Sequence, residues 1–496
     1  MNARSQNAKI IFGLKVKQLR REKGLSFSDL KDRSGLSVSY LNEIEKGKKY
    51  PKKDKIATLA AALGTNEEEL TSPNLTRSLA PVGELLRSNF LNELPLDLFG
   101  IELTKVVEII ANAPMRVGAF ISTLVELARN YALQEENFYH GAMRAYQEMH
   151  YNYFEEIELA VDRFIDLYDV PSQHIIQLEM LYRLLEDRFN YKIVEDGLKP
   201  YPALHHLRSI FVPKQRQLLL HGGLSNIQKA FQVAKELGFQ FLDLKDRAIT
   251  ASLTQVNSFE EVLNHFKASY FAVALLIRQH LFVEDLRNFF NKSDWDGEAF
   301  LQLKRGYQAS PEMLFQRLTN VIPRFFGLRK MFFLRFIHEP ETGYFQTDKE
   351  LHLNRQHHPH GNRINEHYCR RWLSLSLLKD LYQIQQEGKY VGTIVGAQRS
   401  KYFGTEDEYL CFTLARPAYP TPNQNISVTL GFLIDEDLRK TIHFLDDPKI
   451  STREVNRTCE RCPFEDCEER AVPATIVEKK KERKRVQDAL QQILNK

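Results

Sequence analysis

Residues 25–51, LSFSDLKDRSGLSVSYLNEIEKGKKYP, constrain the fold more tightly than any other stretch. Ser26 followed three residues later by Asp29 makes a near capping box, and it starts a helix with Phe27 and Leu30 facing inward. Gly35 supplies a tight turn, after which Ser37 is placed to cap a second helix. On that helix Leu41 and Ile44 share one face, while Val38, Ser39, Asn42 and Glu43 project from the other. A helix end carrying small and polar groups suits the major groove of DNA, where base edges offer a distinct donor and acceptor pattern.

The charge distribution agrees. Residues 1–55 carry fifteen Lys/Arg and six Asp/Glu, a local +9 in a chain whose net charge is +4, so the remainder is about −5. A basic head on a mildly acidic body is the footprint of phosphate binding. The bland alternative is a small helical bundle with a solvated basic surface, and the order of elements argues against it. Residues 9–72, through the run GLSVSYLNEIEKGK at 35–48, resemble the lambda-repressor/Cro-like (XRE) helix-turn-helix family. The resemblance implies that Ser37, Val38, Ser39, Asn42 and Glu43 face bases or the adjacent phosphate. Lys46, Lys48 and Lys49 would sit over the DNA backbone, and Arg20 would pair with Glu45 inside the module. Many members of that family carry a phosphate-reaching Gln in the first turn of helix two; here the residue is Phe27.

With 496 residues the chain is long enough for about three domains. No apolar run approaches the ~20 residues needed to span a bilayer, and no signal peptide opens the chain, so a cytoplasmic protein without membrane contact is expected. Five cysteines, an odd number with three clustered, argue against a secreted disulfide framework.

The first helix is expected over 9–23, with Phe12, Val16 and Leu19 on one stripe. Lys52–Leu63 reads as a fourth helix ended by Gly64, and Asn66–Leu70 as a fifth. From Gly83 to Tyr168 the pattern is helical, with stripes at Val106, Ile109, Ile110 and at Leu124, Leu127, Ala128, Tyr131. The aromatic run Asn137–Tyr168 suits either a dimerisation layer or plain core packing. Beyond it, a helix at Gln173–Phe189, strands at Tyr191–Val194 and Gln217–Leu220, and helices at Leu224–Leu237 and Glu260–Gln279 follow. This arrangement resembles the ImmA/IrrE-type zinc metallopeptidases, whose H-E-x-x-H places two zinc-binding imidazoles one helical turn apart. The matching run here is Lys235-Glu236-Leu237-Gly238-Phe239, and the acidic third ligand falls at Lys267, ahead of ASYFA. An ammonium cannot ligate zinc, so a peptidase acting on a partner repressor is the weaker reading. A positive cleft for an anionic ligand is the stronger one, with Arg208, Arg216, Lys235 and Tyr270 as contacts. Five histidines within Leu351–Trp372 read as polar loop residues rather than metal ligands.

Near the C-terminus Cys459, Cys462 and Cys467 stand in C-x2-C-x4-C spacing with Pro463 after the second, a pattern typical of Fe–S or zinc sites. Cys369 is the available fourth ligand; Cys411, in YLCFTLA, reads as a buried small hydrophobe. The runs Ala268–Leu276, Ser310–Leu318, Cys369–Trp372, Ala415–Pro417 and Cys459–Pro473 are similar to those of the short-chain fatty acyl transcriptional regulators. That resemblance implies an operator-binding homodimer or higher homo-oligomer that responds to an acyl-CoA. It also implies a [4Fe–4S] cluster on Cys369, Cys459, Cys462 and Cys467, with Zn2+ as the alternative. A zinc-stabilised interaction scaffold without metabolite sensing is a further alternative.

The expected fold is mainly α with an α+β sensor region. A lambda-repressor-like five-helix module at 1–72 precedes a helical dimerisation layer at 82–171. A degenerate zincin-like α+β domain at 172–300 and an α+β cysteine-cluster domain at 301–478 follow. Residues 479–496 form a basic helical tail, whose cations are either simply solvated or an auxiliary phosphate contact.

Overall fold

The computed structural model describes residues 3–73, 75, 135–171, 175–250, 256, 258–353, 366–389, 392–419, 421 and 423–495. The chain divides into two compact units, residues 1–146 with 257–259 and residues 147–256 with 260–496. The stripes expected between 82 and 134 lie outside the described residues.

The first unit opens with five helices: α1 (Ala3–Glu22), α2 (Phe27–Ser34), α3 (Val38–Glu45), α4 (Lys53–Ala62) and α5 (Glu67–Thr71). Ser26 and Asp29 form the full capping box at α2, with Asp29 N donating to Ser26 Oγ at 3.1 Å and Ser26 N donating to Asp29 at 2.8 Å. Gly35 then takes φ 68°, the left-handed conformation that ends α2 and turns the chain into α3. Phe12, Val16, Leu30, Leu41, Ile44, Leu59 and Leu70 close one core. Gly13 lets α1 ride against α3, because a Cβ there would collide with the carbonyl oxygen of Ile44. Helix α6 (Glu135–Met149) follows in the described chain.

The second unit begins with α7 (Glu155–Leu167), α8 (Leu178–Arg183) and a π turn over Leu184–Arg188. A small sheet follows in the order β1 (Lys192–Val194), β3 (Gln217–Leu220), β2 (Ser209–Val212). Strand β2 was not anticipated; its four residues SIFV sit between a buried Leu207 and Pro213, too short a run for alternation to register. Helix α9 (Asn226–Phe241) meets this sheet through Gln232, whose side chain accepts from Ser209 Oγ on β2 at 2.9 Å. Helix α10 (Phe259–Leu276) matches the helix expected at Glu260–Gln279 to within a few residues, and α11 (Gln279–Phe290) follows it. The aromatics of α7 are core: Phe164 meets Phe241 at 5.1 Å and Phe271 at 5.5 Å, edge to face.

Helices α12 (Gly297–Gly306) and α13 (Pro311–Phe325) lead into a six-stranded sheet. Its strands are β4 (Met331–Glu339), β5 (Tyr344–His352), β6 (Ile394–Tyr402), β7 (Glu408–Pro417), β8 (Asn425–Leu433) and β9 (Ser451–Val455), ordered β5-β4-β8-β7-β6-β9. Helix α14 (Leu373–Gln386) covers one face through Leu375 and Leu378, and Trp295 and Phe300 cover the other against Phe412. Strand β7 is therefore buried on both sides, which is why YLCFTLA reads as a continuous apolar run. Helices α15 (Glu436–Thr441) and α16 (Thr475–Leu494) complete the chain.

Candidate functional site: a reading helix, a basic cleft and a thiolate cavity

Three features carry chemistry. The first is α3. Ser37 caps it by accepting from Tyr40 N at 3.3 Å. Ser37, Val38 and Ser39 are exposed, Asn42 and Glu43 half-exposed, and Lys46, Lys48 and Lys49 exposed just beyond. The other face of the helix, Leu41 and Ile44, is fully buried. Behind it Arg20 grips Glu45 with two bonds of 2.6 and 2.9 Å, and its guanidinium lies 4.2 Å over the ring of Phe27. Phe27 is thus a platform for that clamp. Lys49 pairs with Glu43 at 2.8 Å, so Glu43 offers DNA an already answered charge.

The second feature is a cleft within the larger unit. Arg208 stands just before β2, Lys304 on α12, Arg335 on β4, Lys349 on β5 and Arg416 on β7, all around Glu312 at the start of α13. Arg416 Nη2 donates to both Glu312 oxygens at 3.2 Å, and Arg335 Nε lies 3.6 Å away while its other end pairs with Asp348. Burial alone would raise the Glu312 pKa, yet Arg416, Arg335 and Arg208 hold it well below the usual carboxylate range. Burial pulls Arg208, Lys304 and Lys349 down, and neighbouring cations add to the effect. Lys349 nonetheless keeps much of its surface open to solvent. The Nε atoms of Arg335 and Arg416 are buried without a hydrogen-bond partner among the described residues. Five cations face two carboxylates here, an excess that calls for an anion.

Lys235 borders this cleft and feels Lys349 and Arg208. Burial pushes its pKa down to about 7, with Glu236 opposing the shift. Its Nζ abuts the ring nitrogen Nε2 of His265 on α10. The α10 side chain that meets Lys235 is thus His265, two residues before the Lys267 singled out from the sequence. Glu236, where a peptidase would keep its base, is held by Arg247 at 2.5 and 2.7 Å and receives Tyr191 Oη at 3.3 Å. Phe239 fills the second imidazole position and carries the Arg247 guanidinium 3.8 Å over its ring.

Two predicted contacts fall outside the cleft. Tyr270 is fully buried, donating to Glu158 at 2.7 Å while its oxygen accepts from Phe154 N at 3.3 Å; Glu158 is in turn paired with the fully buried Arg317. Tyr270 is a core residue because it lies on the α7 side of α10. Arg216, at a left-handed turn with φ 47°, points outward and donates to Phe189 O and Gln240. Lys304, Glu312, Arg335, Lys349 and Arg416 were missed by sequence reasoning, since each is isolated in its own segment.

The third feature gathers Cys369, Cys459, Cys462 and Cys467 around one cavity with Arg370, Arg371, Asn456 and Arg470. A bridge between Tyr368 and Thr458 brings the two distant segments together, and Cys459 N donates to His367 O at 2.8 Å. Backbone amides reach two sulfurs, Asn456 N to Cys369 at 3.5 Å and Ala471 N to Cys459 at 3.4 Å. Arg470 ties the loop by donating to the carbonyls of Cys459, Cys462 and Phe464. Burial pushes the Cys369 thiol up to about 11, a cost that a bound cation would offset. No three His, Cys, Asp or Glu side chains among the described residues converge tightly enough for one metal ion. Cys411 is buried in β7, away from this cavity. Of the histidines, His352 is buried at the end of β5 and His367 pairs with Glu460 at 2.9 Å; those between 354 and 365 lie outside the described residues. No described helix is long and apolar enough to cross a membrane.

Comparison with known proteins places these features. Residues 11–72 match a helix-turn-helix domain model, and residues 186–319 match an IrrE N-terminal-like domain model. An uncharacterized HTH-type transcriptional regulator of Sinorhizobium fredii, y4dJ, is 40% identical over 63 residues, 13% of this chain and 82% of that protein. A solved Mycobacterium tuberculosis transcriptional regulator aligns at TM-score 0.45 and 18% identity, over 68% of this chain and 94% of its own. The exposed α3 face and the helix-turn-helix match coincide in the same residues, and the chain belongs to the HTH-type transcriptional regulators.

Proposed function

We propose that the protein is an operator-binding regulator whose DNA affinity responds to a short-chain acyl-CoA or a chemically related polyanion. The observation carrying this reading is the cleft in which Arg208, Lys304, Arg335, Lys349 and Arg416 surround Glu312. A multiply charged phosphate ester answers such a surplus through charge-assisted hydrogen bonds, and the Nε atoms of Arg335 and Arg416 make no hydrogen bond among the described residues. The ligand alters operator affinity to the extent that it prefers one of two DNA-competent states, as in a homodimer whose heads move between spacings. The Lys235–His265 contact and the locked Glu236 oppose a peptidase reading of the IrrE-like region.

Cys369, Cys459, Cys462 and Cys467 are proposed to hold a [4Fe–4S] cluster. Four thiolates on one zinc, about 2.3 Å from it, need sulfurs within about 3.8 Å of each other. Cluster thiolates sit on separate irons, so the four sulfurs that line this cavity need not converge on one point. Bound there, the cluster supplies a redox- and oxygen-sensitive centre. The chain's own part is to aim the Asn456 and Ala471 amides at two sulfurs and to fix the loop through Arg470.

Thermal melts with a series of CoA esters test the effector. A ligand at a hundred times its Kd adds about 2.7 kcal/mol, a rise of several degrees. Arg208→Glu is expected to remove that rise, and no shift with any ester overturns the effector reading. Material purified without oxygen is expected to be brown and to lose iron in Cys462→Ser. A colourless preparation holding one zinc per chain selects the zinc alternative instead.

A further inference from the structure

We propose that α16 is a second DNA-binding surface, one that grips backbone phosphates of a duplex without reading its sequence; this rests on the DNA-binding reading of the chain. The helix has twenty residues and buries none of them. At 1.5 Å per residue it is about 30 Å long. Its base is anchored to the cysteine loop: Ile476 N donates to Glu460 O at 3.1 Å, and Lys481 pairs with Glu465 at 3.3 Å. Beyond that point the helix is solvent-exposed on every side.

Residues 478–485 read EKKKERKR, six cations against Glu478 and Glu482. At 100° per residue these cations spread over about 240° of the helix circumference rather than forming one stripe, with Glu478 and Glu482 in the remaining arc. That distribution decides among occupants. An interfacial membrane helix needs an apolar face along the same length as its basic one, and the cationic half has none. A coiled-coil partner needs an apolar seam over three or more heptads, whereas Val486, Leu490 and Ile493 span two turns. A duplex groove presents a phosphate strand on each flank, so cations on opposite sides of a helix both find partners. Phosphate contacts also carry no sequence requirement, which fits a segment with no polar reading face.

The test measures binding of the full chain to a mixed-sequence duplex of about 30 base pairs by fluorescence anisotropy across a salt series. The variant combines Lys479→Gln, Lys480→Gln, Arg483→Gln and Lys484→Gln, which keeps helix propensity and spares Lys481. Each lost phosphate contact lowers the slope of log affinity against log salt by about 0.9, so a fall of about 2 to 4 is expected. An unchanged slope overturns the proposal, as does a variant that loses only its binding to phosphatidylserine vesicles or only its self-association. Ser39→Ala with Asn42→Ala is expected to alter preference among duplexes without this change in slope. If the unmodified chain binds no duplex at all, the DNA reading itself fails.

Discussion

The head and the body of this protein build their sites in opposite ways. In the head, every residue of the proposed reading surface lies between Ser37 and Lys49, and the cap that starts its helix is Ser37 itself. In the body, the basic cleft takes one side chain from each of several elements, from Arg208 to Arg416, and exists only once the six-stranded sheet has closed. A site carried on one contiguous helix can be altered without touching the fold. A site assembled from distant segments shares its fate with the core beneath it.

That contrast predicts separable melting. Glu158 and Arg317 form a buried ion pair in the body, with Arg317 also donating to Ile277 O at 2.8 Å. Glu158→Ala leaves a buried guanidinium unanswered, which costs about 3–5 kcal/mol. In calorimetry the body's transition is expected to fall by many degrees while that of the head stays in place. A parallel fall of both would mean the two units melt as one.

Lys235 gives the next largest effect, with the opposite sign. Its ordinary pKa of 10.5 drops to about 7 in the fold because of burial, so between those values the unfolded chain binds a proton that the folded chain does not. Stability therefore rises with pH across that window, and the full penalty applies below about pH 7. Lys235→Met is expected to raise the melting temperature most near neutrality, with the gain fading towards pH 10. A gain that is constant over this range would remove the ammonium as its cause.

The difference between the units also explains what could be read from the chain. The capping box at Ser26 and Asp29, the turn at Gly35 and the pair Arg20–Glu45 each depend on near neighbours or a repeated module pattern, and all were legible. The Lys and Phe that stand at 235 and 239, where the resembled peptidases place imidazoles, were legible too, since they are a matter of residue type. Tyr270 and Arg216 were misplaced for another reason. Whether a side chain on α10 faces the cleft or faces α7 depends on packing partners far along the chain, and the outward turn of Arg216 depends on its left-handed backbone. Cys369 comes beside Cys459 across ninety residues through backbone pairing at Tyr368 and Thr458, which no local pattern encodes; the sequence offered Cys369 as the cysteine left once Cys411 was read as core, and the resemblance to known regulators agreed.

Within the head, Gly13 tests how far its stability depends on close helix contact. A Cβ at that position meets the Ile44 carbonyl oxygen, so α1 and α3 must separate. Overpacking of this kind costs about 1–3 kcal/mol. Gly13→Ala is expected to lower the head's transition and DNA affinity together while leaving the body's ligand response intact. If ligand-induced stabilisation disappears as well, the head and body are coupled more tightly than their separate cores imply.

The smallest effect on the fold is expected from the reading face itself. Ser39 is exposed and Asn42 half-exposed, and neither makes a packing contact on which the core of Phe12, Leu41 and Ile44 depends. Replacing both with Ala is expected to shift the melting temperature by no more than a typical surface change, about 0.5 kcal/mol. Each lost base contact is nevertheless worth about 1–3 kcal/mol of discrimination between sequences. Selection from a randomised duplex pool, followed by sequencing, reads this directly. The variant should enrich a more degenerate set than the unmodified chain at equal protein concentration. If both enrich the same sequence equally well, α3 does not read bases through these two side chains, and the contact must lie elsewhere on the exposed surface from Ser37 to Lys49.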